Sequence, residues 1–169
     1  RTLEPIKMTT EQSPVTIQTL QKMKQRSQRI SMLTAYDFTM ASLLDDAGVD
    51  VLLVGDSLGM VVQGHSTTIP VTLSQMIYHA RLVVRGTRRA MVVVDLPFPH
   101  GHLGVGATVR TAARVMKQSG CQAVKLEGGA EQADAIAALV NAGIPVIAHV
   151  GLRPQSVHAL AGAGAHHHR

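Results

Sequence analysis

Residues 90–128 read AMVVVDLPFPHGHLGVGATVRTAARVMKQSGCQAVKLEG, and this stretch contains one complete strand–helix–strand unit. Its two ends are short apolar runs, 90–96 and 122–128, of the kind expected for strands buried on both faces. Between them, four apolar residues recur at helical spacing before Gly120: Val109, Ala112, Ala113 and Met116. This order predicts two parallel strands joined by a crossover helix.

The same unit recurs along the chain on both sides of this stretch. Three further apolar runs predict strands: ISMLTAY (30–36), VDVLLVG (49–55) and PVIAHVG (145–151). The segments between the runs carry amphipathic stripes that predict helices lying on a sheet. These stripes are Met40, Leu43, Leu44 and Ala47; Leu73, Met76, Ile77 and Ala80; and Ala133, Ile136, Ala137 and Val140.

Local signals mark where the predicted helices begin and end. Thr72 and Gln75 have the spacing of a capping box, and residues 16–26 are expected to add a leading helix. Asp37, before FTMASLL, is interpreted as a helix N-cap. Each predicted helix is followed or closed by a glycine, which adopts the left-handed conformation at low cost; these are Gly48, Gly86, Gly120 and Gly143.

Two architectures accommodate repeated strand–helix units: an open doubly wound sheet and a (β/α)8 TIM barrel. The glycines of GHLGVG (101–106) do not have dinucleotide-binding spacing, and the sequence contains no Walker motif. Polar residues instead follow several predicted strands, which is typical of barrel enzymes. The predicted fold class is therefore α/β, a (β/α)8 barrel of which about the first five β/α units are present.

Composition bounds the function classes. The 169 residues are 46% hydrophobic with a formal net charge of +5, which excludes an intrinsically disordered chain. No apolar run is long enough to predict a membrane span. Aromatic residues are only 2%, so the basic residues are interpreted as a solvated face and no nucleic-acid partner is expected. A single cysteine, Cys121, favours a reducing, cytoplasmic setting.

The predicted organisation has three parts. Residues 1–15 are interpreted as a polar leader, with Met8 as a candidate natural start. Residues 16–158 form the partial (β/α)8 barrel, which is the catalytic domain. Residues 159–169, ALAGAGAHHHR, are a low-complexity tail without hydrophobic periodicity.

Hydrophilic residues stand where the predicted strands end. Asp56 and Ser57 follow the second run, Asp95 lies in the third, and the fourth carries Lys125 and Glu127. Because parallel strands deliver their carboxyl ends to one rim, these side chains are expected to converge. Residues two apart on a strand share a face, so Lys125 and Glu127 are expected to point the same way.

Asp56, Asp95 and Glu127 are three carboxylates at this one rim, here called the mouth, and they repel one another unless a cation lies between them. Mg²⁺ is the usual partner of a few carboxylates together with waters and substrate, so these residues predict a magnesium site. Lys125 would then offer a positive charge to an anionic substrate. His149, in the fifth run, has two interpretations: a core histidine or a member of the site.

The chain resembles the ketopantoate hydroxymethyltransferase (3-methyl-2-oxobutanoate hydroxymethyltransferase) family over residues 16–158. The motifs that carry the resemblance are TAYD (34–37), VGDSLGMVVQGH (54–65), YHARLVVRG (78–86), DLPF (95–98), VKLEGG (124–129) and HVGLRPQSV (149–157). The VGDSLGM-x-x-QGH stretch is long and specific, far beyond a short glycine motif.

The resemblance implies a (β/α)8 barrel enzyme of pantothenate biosynthesis that assembles as a homo-oligomer, usually a decamer. It implies transfer of a hydroxymethyl group from 5,10-methylenetetrahydrofolate, the co-substrate, to 3-methyl-2-oxobutanoate, giving 2-dehydropantoate through a Mg²⁺-stabilised enolate. Carried over by motif, the Mg²⁺ ligands are Asp56, Asp95 and Glu127. The residues at the 2-oxo acid are Asp56, Ser57, Asp95, Lys125 and His149.

The chain departs from the family after HVGLRPQSV. The family's general base is a glutamate after the sixth strand, and this chain reads ALAGAGAHHHR there. The catalytic base is therefore unassigned, and the chain alone is expected to turn over little or no substrate. Two alternatives stay open: a Mg²⁺-dependent oxo-acid enzyme of the phosphoenolpyruvate mutase/isocitrate lyase group, for whose loop cysteine Cys121 is misplaced, and a non-catalytic barrel fragment.

Overall fold

The computed structural model describes residues 13–156, which form one parallel sheet of five strands with helices between them. The strands are adjacent in chain order: β1 (Met32–Thr34), β2 (Val51–Val54), β3 (Met91–Asp95), β4 (Ala123–Glu127) and β5 (Val146–His149). Each neighbouring pair is parallel, so the predicted α/β class with five parallel strands is confirmed. Most of the predicted leader and the whole of the predicted tail lie outside the described residues.

Six helices lie between or before the strands: α1 (Ile17–Gln25), α2 (Phe38–Asp46), α3 (Leu58–Val61), α4 (Leu73–Gly86), α5 (Val105–Ser119) and α6 (Ala133–Asn141). Five of them follow the predicted order, and the four-residue α3 was not predicted. Two predicted N-termini are confirmed. Asp37 caps α2 by accepting a hydrogen bond from the Met40 N–H at 2.8 Å, and Thr72 and Gln75 form a capping box on α4. Within residues 13–156, no helix is both long and apolar enough to cross a membrane.

The central strands β2, β3 and β4 are buried, whereas the edge strand β1 is exposed along its length and β5 is only partly buried. Burial on both faces, expected of the apolar runs, therefore holds for the central strands only. Alternate residues of the central strands, Leu52 and Val92 among them, pack against the helices. The other set, including Val51 and Val93, packs with Val15 on the opposite face, here called the inner face. Because side chains alternate along a strand, the last inner-face positions of β3, β4 and β5 are polar: Asp95; Lys125 and Glu127; and His149.

The helix stripes are predicted correctly for α4 in the centre and wrongly for α2 at the flank. Leu73, Met76, Ile77 and Ala80 are all buried. In α2, by contrast, Met40 is 47% exposed and Leu43 is 61% exposed, whereas Ala41 and Asp45 are buried. The reason is that the Asp45 carboxylate faces inwards to accept hydrogen bonds from backbone N–H groups that precede β3.

The α6 stripe is displaced in the same way. Ala135 and Leu139 are the buried residues of this helix, and Ile136 packs against the core beside them. Val140, which the sequence places on the inward stripe, is 58% exposed. Helices α2 and α6 therefore carry apolar side chains on a lateral face as well as on the face that packs against the sheet. The sequence pattern does not distinguish these two faces.

The left-handed glycine prediction is right at three positions and wrong at Gly86. Gly48, Gly120 and Gly143 have φ values of 86°, 83° and 77°. Gly86 is instead the last residue of α4, where α4 crosses α2 closely. A Cβ on Gly86 would lie 2.5 Å from the Phe38 carbonyl oxygen and 3.1 Å from the Ala41 Cβ, so close packing requires glycine there.

Candidate active site

Three buried carboxylates lie at the carboxyl end of neighbouring strands. Asp56 follows β2, Asp95 ends β3 and Glu127 ends β4, and their residues are 6%, 4% and 5% exposed. The Asp56 backbone N–H donates to Asp95 Oδ2 at 3.2 Å, which ties the first two together. The strand order and the side-chain alternation place these acids in one mouth, as the sequence pattern predicts.

Lys125 lies beside Asp95 in the register of β3 and β4. Its Nζ donates to Asp95 Oδ1 at 2.7 Å in a largely buried ion pair. The positive charge expected for an anionic substrate is therefore also the internal counter-charge of the acid cluster. An anion that binds at Lys125 competes with Asp95 for that ammonium group unless a cation relieves the carboxylate.

Two carboxyl groups of the mouth, Asp56 and Asp95, have raised pKa values because their charged forms are destabilised there. Burial and the neighbouring charge of Asp95 raise the pKa of Asp56 from 3.8 to about 6, although a hydrogen bond from Gln155 opposes the rise. Burial also raises the pKa of Asp95, and the Lys125 ammonium group opposes it. Raised carboxyl pKa values in a cleft are typical of functional sites.

The Ser57 side chain is hydrogen-bonded by Tyr36 and lies close to Gly55, two residues to which the sequence analysis gave no role. The Tyr36 hydroxyl lies 2.8 Å from Ser57 Oγ, and the Tyr36 carbonyl accepts a hydrogen bond from His79 Nδ1 at 2.7 Å. A Cβ on Gly55 would lie 2.8 Å from Ser57 Oγ and 3.4 Å from Asp95 Oδ2. Both Tyr36 and Gly55 fall within the quoted motifs, which marked the positions but not the contacts.

His149 lies at the end of β5, opposite Glu127 in the strand register. Its Nδ1 is 3.4 Å from Glu127 Oε1, a distance that fits an ion pair if the ring is protonated. The alignment is not that of a hydrogen bond, so Nδ1 is a buried polar atom without a hydrogen-bond partner in the described part of the chain. His149 is therefore at the mouth, and one ring nitrogen is left unsatisfied.

Gln155, in a 3-10 turn at Pro154–Ser156, joins the acid cluster from the loop after β5. Its side-chain Nε2 donates to Asp56 Oδ2 at 2.8 Å and to the Leu96 carbonyl at 2.9 Å. Its backbone N–H donates to Glu127 Oε2 at 2.9 Å. The sequence analysis gave this buried residue no role, because a glutamine in a loop carries no periodicity or charge signal.

The donor set fits a hard divalent cation in its chemistry. Three buried carboxylates carry more negative charge than Lys125 alone balances, and the charge of Asp95 adds to the effect of burial in raising the pKa of Asp56. In the geometry described for residues 13–156, however, no three Asp, Glu, His or Cys side chains already converge as a ligand group. Donors from the chain instead hold oxygens of each acid, so a cation requires small side-chain rearrangements.

The family model for ketopantoate hydroxymethyltransferase matches residues 14–168. The chain belongs to this family. A 3-methyl-2-oxobutanoate hydroxymethyltransferase of Rhodopirellula baltica is 65% identical over 150 residues, covering 89% of this chain and 56% of that protein. One of Magnetococcus marinus is 57% identical over 148 residues, covering 88% and 55%. The chain thus spans just over half the length of the curated relatives it matches.

Solved structures with a similar fold include a member of the PEP mutase/isocitrate lyase superfamily. A 2,3-dimethylmalate lyase matches with a TM-score of 0.57 and 22% identity, over 78% of this chain and 51% of that one. A phosphonopyruvate hydrolase, solved with oxalate and Mg²⁺, matches with a TM-score of 0.60 and 15% identity, over 78% and 50%. At such low identity the similarity establishes the fold alone, half of a TIM barrel.

Proposed function

We propose that this chain carries the cation-binding and oxo-acid-binding part of a 3-methyl-2-oxobutanoate hydroxymethyltransferase. The reaction transfers a hydroxymethyl group from 5,10-methylenetetrahydrofolate to 3-methyl-2-oxobutanoate and forms 2-dehydropantoate in pantothenate biosynthesis. The observation that carries the proposal is the buried cluster of Asp56, Asp95 and Glu127 at adjacent strand ends. The relatives with this name, at 65% and 57% identity, support the choice of reaction.

Asp56, Asp95 and Glu127 are proposed to hold Mg²⁺. When bound, the ion supplies Lewis-acid polarisation of the oxo acid, which lowers the pKa of its C3–H. The three residues stand at or just beyond the ends of neighbouring strands, so hydrogen bonding between the strands sets where their main chains lie and only the side chains must turn. Rigid placement of this kind keeps the cost of organising a cation site low.

Three further side chains are proposed to contact the oxo acid. Lys125 supplies a positive charge for its carboxylate, and Ser57 supplies a hydroxyl held by Tyr36. His149 brings a ring nitrogen, Nδ1, that has no hydrogen-bond partner within residues 13–156. A buried, unpaired polar atom costs free energy, and a ligand that pairs with it recovers that cost. Asp56 and Asp95 line the same space.

The general base is not assigned to any of residues 13–156. The carboxylates at this mouth already accept hydrogen bonds from the chain, Asp95 from Lys125 and Glu127 from Gln155. We propose that the base belongs to the part of the relatives that this chain does not match, and that the isolated chain has little or no turnover. Homo-oligomeric assembly and a cytoplasmic setting are further parts of the proposal; buried Cys121 accords with the latter.

Calorimetric titration of the chain with 3-methyl-2-oxobutanoate, with and without Mg²⁺, tests the proposal. Binding is expected to require Mg²⁺ and to weaken at least about tenfold in Asp95→Asn, which removes a charge that both Mg²⁺ and Lys125 use. Asp46→Asn is the matched control, because Asp46 pairs only with exposed Arg88 among the described residues. Binding that is independent of Mg²⁺, or equal in the two variants, contradicts the proposed site.

A second measurement addresses the base. Nuclear magnetic resonance in D₂O follows exchange of the C3 proton of 3-methyl-2-oxobutanoate in the presence of Mg²⁺. The isolated chain is expected to produce no exchange above the rate in buffer with Mg²⁺ alone. Rapid exchange would show that a base lies within this chain and would overturn its assignment to the remainder of the relatives.

A further inference from the structure

Gln155 contacts two of the three carboxylates of the cluster with two different groups. Its side-chain amide reaches Asp56 and its backbone N–H reaches Glu127, at 2.8 Å and 2.9 Å. The residue is 8% exposed, and these hydrogen bonds are themselves buried. No other residue of the described chain donates hydrogen bonds to both Asp56 and Glu127.

We propose that Gln155 is a positioning residue, which orients the Asp56 and Glu127 carboxylates for a divalent cation. This inference rests on the proposed function above. Gln155 is not a catalytic residue, because its role is exerted through the two carboxylates rather than on the reacting atoms. It is the kind of outer partner that metal-ligating carboxylates commonly require.

The orientation of the amide is fixed by its partners. Nε2 lies within hydrogen-bond distance of Asp56 Oδ2 and of the Leu96 carbonyl oxygen, at 2.8 Å and 2.9 Å. An ionised carboxylate and a carbonyl are acceptors only, so both require the amide nitrogen and neither tolerates the amide oxygen. The amide therefore donates one N–H to each and is held between the ends of two neighbouring elements.

Each carboxylate is held through one oxygen only. Gln155 bonds Asp56 through Oδ2 and Glu127 through Oε2. In the described chain, the second oxygen of each acid, Asp56 Oδ1 and Glu127 Oε1, accepts no hydrogen bond; His149 Nδ1 approaches the latter only to 3.4 Å. A carboxylate held through one oxygen keeps the other free to ligate, and the hydrogen bond limits the directions in which the side chain can turn towards a cation.

The loop that carries Gln155 is secured beside the site. Arg153 pairs with Glu131, which belongs to the 3-10 turn that follows β4. This pair is on the surface and contributes little stability, but it connects the loop after β5 to the turn after β4. The buried hydrogen bonds of Gln155 itself hold the residue at the ends of β2 and β4.

Electron paramagnetic resonance with Mn²⁺ alone as the probe tests the inference without any turnover. The variants are Gln155→Met, which keeps the length and removes the donors, and Gln155→Asn, which keeps an amide and loses the reach. Both retain the backbone N–H to Glu127. The dissociation constant of Mn²⁺ is expected to rise about 10- to 100-fold in each.

Gln122→Met is the matched control. Gln122 also makes two backbone contacts, accepting from the Val92 N–H at 2.7 Å and donating to the Gly120 carbonyl at 3.3 Å. It precedes β4 and so lies at the opposite end of the sheet. This variant is expected to lower the metal-free melting temperature and to leave Mn²⁺ affinity unchanged. If the role of Gln155 were merely structural, the Gln155 variants would show this same pattern.

The outcomes separate the two proposals. If the unmodified chain binds Mn²⁺ and both Gln155 variants bind it equally well, the positioning role is overturned and the proposed function stands. If the unmodified chain itself binds no Mn²⁺, the proposed cation site fails and the positioning role fails with it. Weakened binding in the Gln155 variants alone, with circular dichroism showing that they fold, supports the inference.

Discussion

Asp50 and Asp56 stand at opposite ends of the same strand, β2, and their surroundings shift the carboxyl pKa in opposite directions. Both residues are buried, at 7% and 6% exposure. Burial by itself raises the pKa of Asp50, but hydrogen bonds from Ser31 and Arg89 outweigh it and bring the pKa below 3.8. At Asp56, burial and the charge of Asp95 prevail, and the pKa rises to about 6.

The difference extends to the two ends of the whole sheet. At the amino end, Asp45 accepts hydrogen bonds from the N–H groups of Arg88, Arg89 and Ala90, and Arg89 pairs with Asp50 at 2.8 Å. Each acid there is matched by donors. At the carboxyl end the acids are matched less completely. In this sheet the acids of the amino end are therefore matched by donors, whereas those of the carboxyl end keep less balanced charge, as the proposed cation site requires.

The largest effect is expected from Asp45→Ala at the amino end. Three backbone N–H groups before β3 lose their acceptor, so the free energy of unfolding should fall by about 3 kcal/mol or more. Urea denaturation followed by circular dichroism measures it. The matched control is Asp46→Ala, the adjacent acid of α2, whose exposed pair with Arg88 is expected to contribute under about 1 kcal/mol. Equal losses in the two variants would contradict the structural role of Asp45.

The second prediction concerns Asp50 and Asp56 directly. In EDTA at pH 7, Asp50→Asn should lower the free energy of unfolding by about 1–2 kcal/mol, because Ser31 and Arg89 lose a charged acceptor. Asp56→Asn should raise it by about 1–2 kcal/mol, because a buried charge beside Asp95 is removed while Gln155 keeps an oxygen to bond. Thermal or urea unfolding of both variants provides the measurement.

Acid titration and Mg²⁺ sharpen this pair. The folded-state pKa of Asp50 is below the unfolded value near 3.8, so its stabilisation is present above that pH and lost as the pH falls through the folded pKa. The unmodified chain and Asp50→Asn should therefore converge in acid. Mg²⁺ should stabilise the unmodified chain and not Asp56→Asn. Changes of the same sign in both variants would break the proposed division between the ends.

The sequence predicted the amino-acid chemistry of the carboxyl end better than that of the amino end. Asp56, Asp95, Lys125 and Glu127 stand at the ends of apolar runs, and that position alone indicates a shared rim in a parallel sheet. Asp45 gives no such signal, since it lies within an amphipathic helix pattern. Its burial depends on backbone N–H groups that follow it by more than forty residues, which no local period records.

The parts of the site that the sequence analysis missed share one physical property. Tyr36 and Gln155 act through hydrogen bonds to residues far along the chain, 21 positions away for Ser57 and 99 for Asp56. Hydrophobic periodicity indicates which side chains are buried, and the position of a residue at a strand end indicates the edge of the sheet where it lies. Neither signal identifies the hydrogen-bond partner of a polar atom. The flanking stripes of α2 and α6 failed for a related reason, because apolar residues on a lateral face look the same in sequence as those that face the sheet.

The smallest effect is expected from Tyr36→Phe, which removes one hydroxyl from the carboxyl end. The Tyr36 backbone stays bonded to His79, so the protein should unfold at nearly the same temperature. Ser57 Oγ loses its partner at 2.8 Å, and binding of 3-methyl-2-oxobutanoate with Mg²⁺ should weaken by about 0.5–1 kcal/mol, a factor of about two to five. Tyr78→Phe, at a 60% exposed tyrosine, is the matched control and should change neither quantity. Calorimetry that finds the two variants equal in binding would remove Tyr36 from the site, whereas a loss of binding without a loss of stability is the behaviour that distinguishes this end of the sheet from the other.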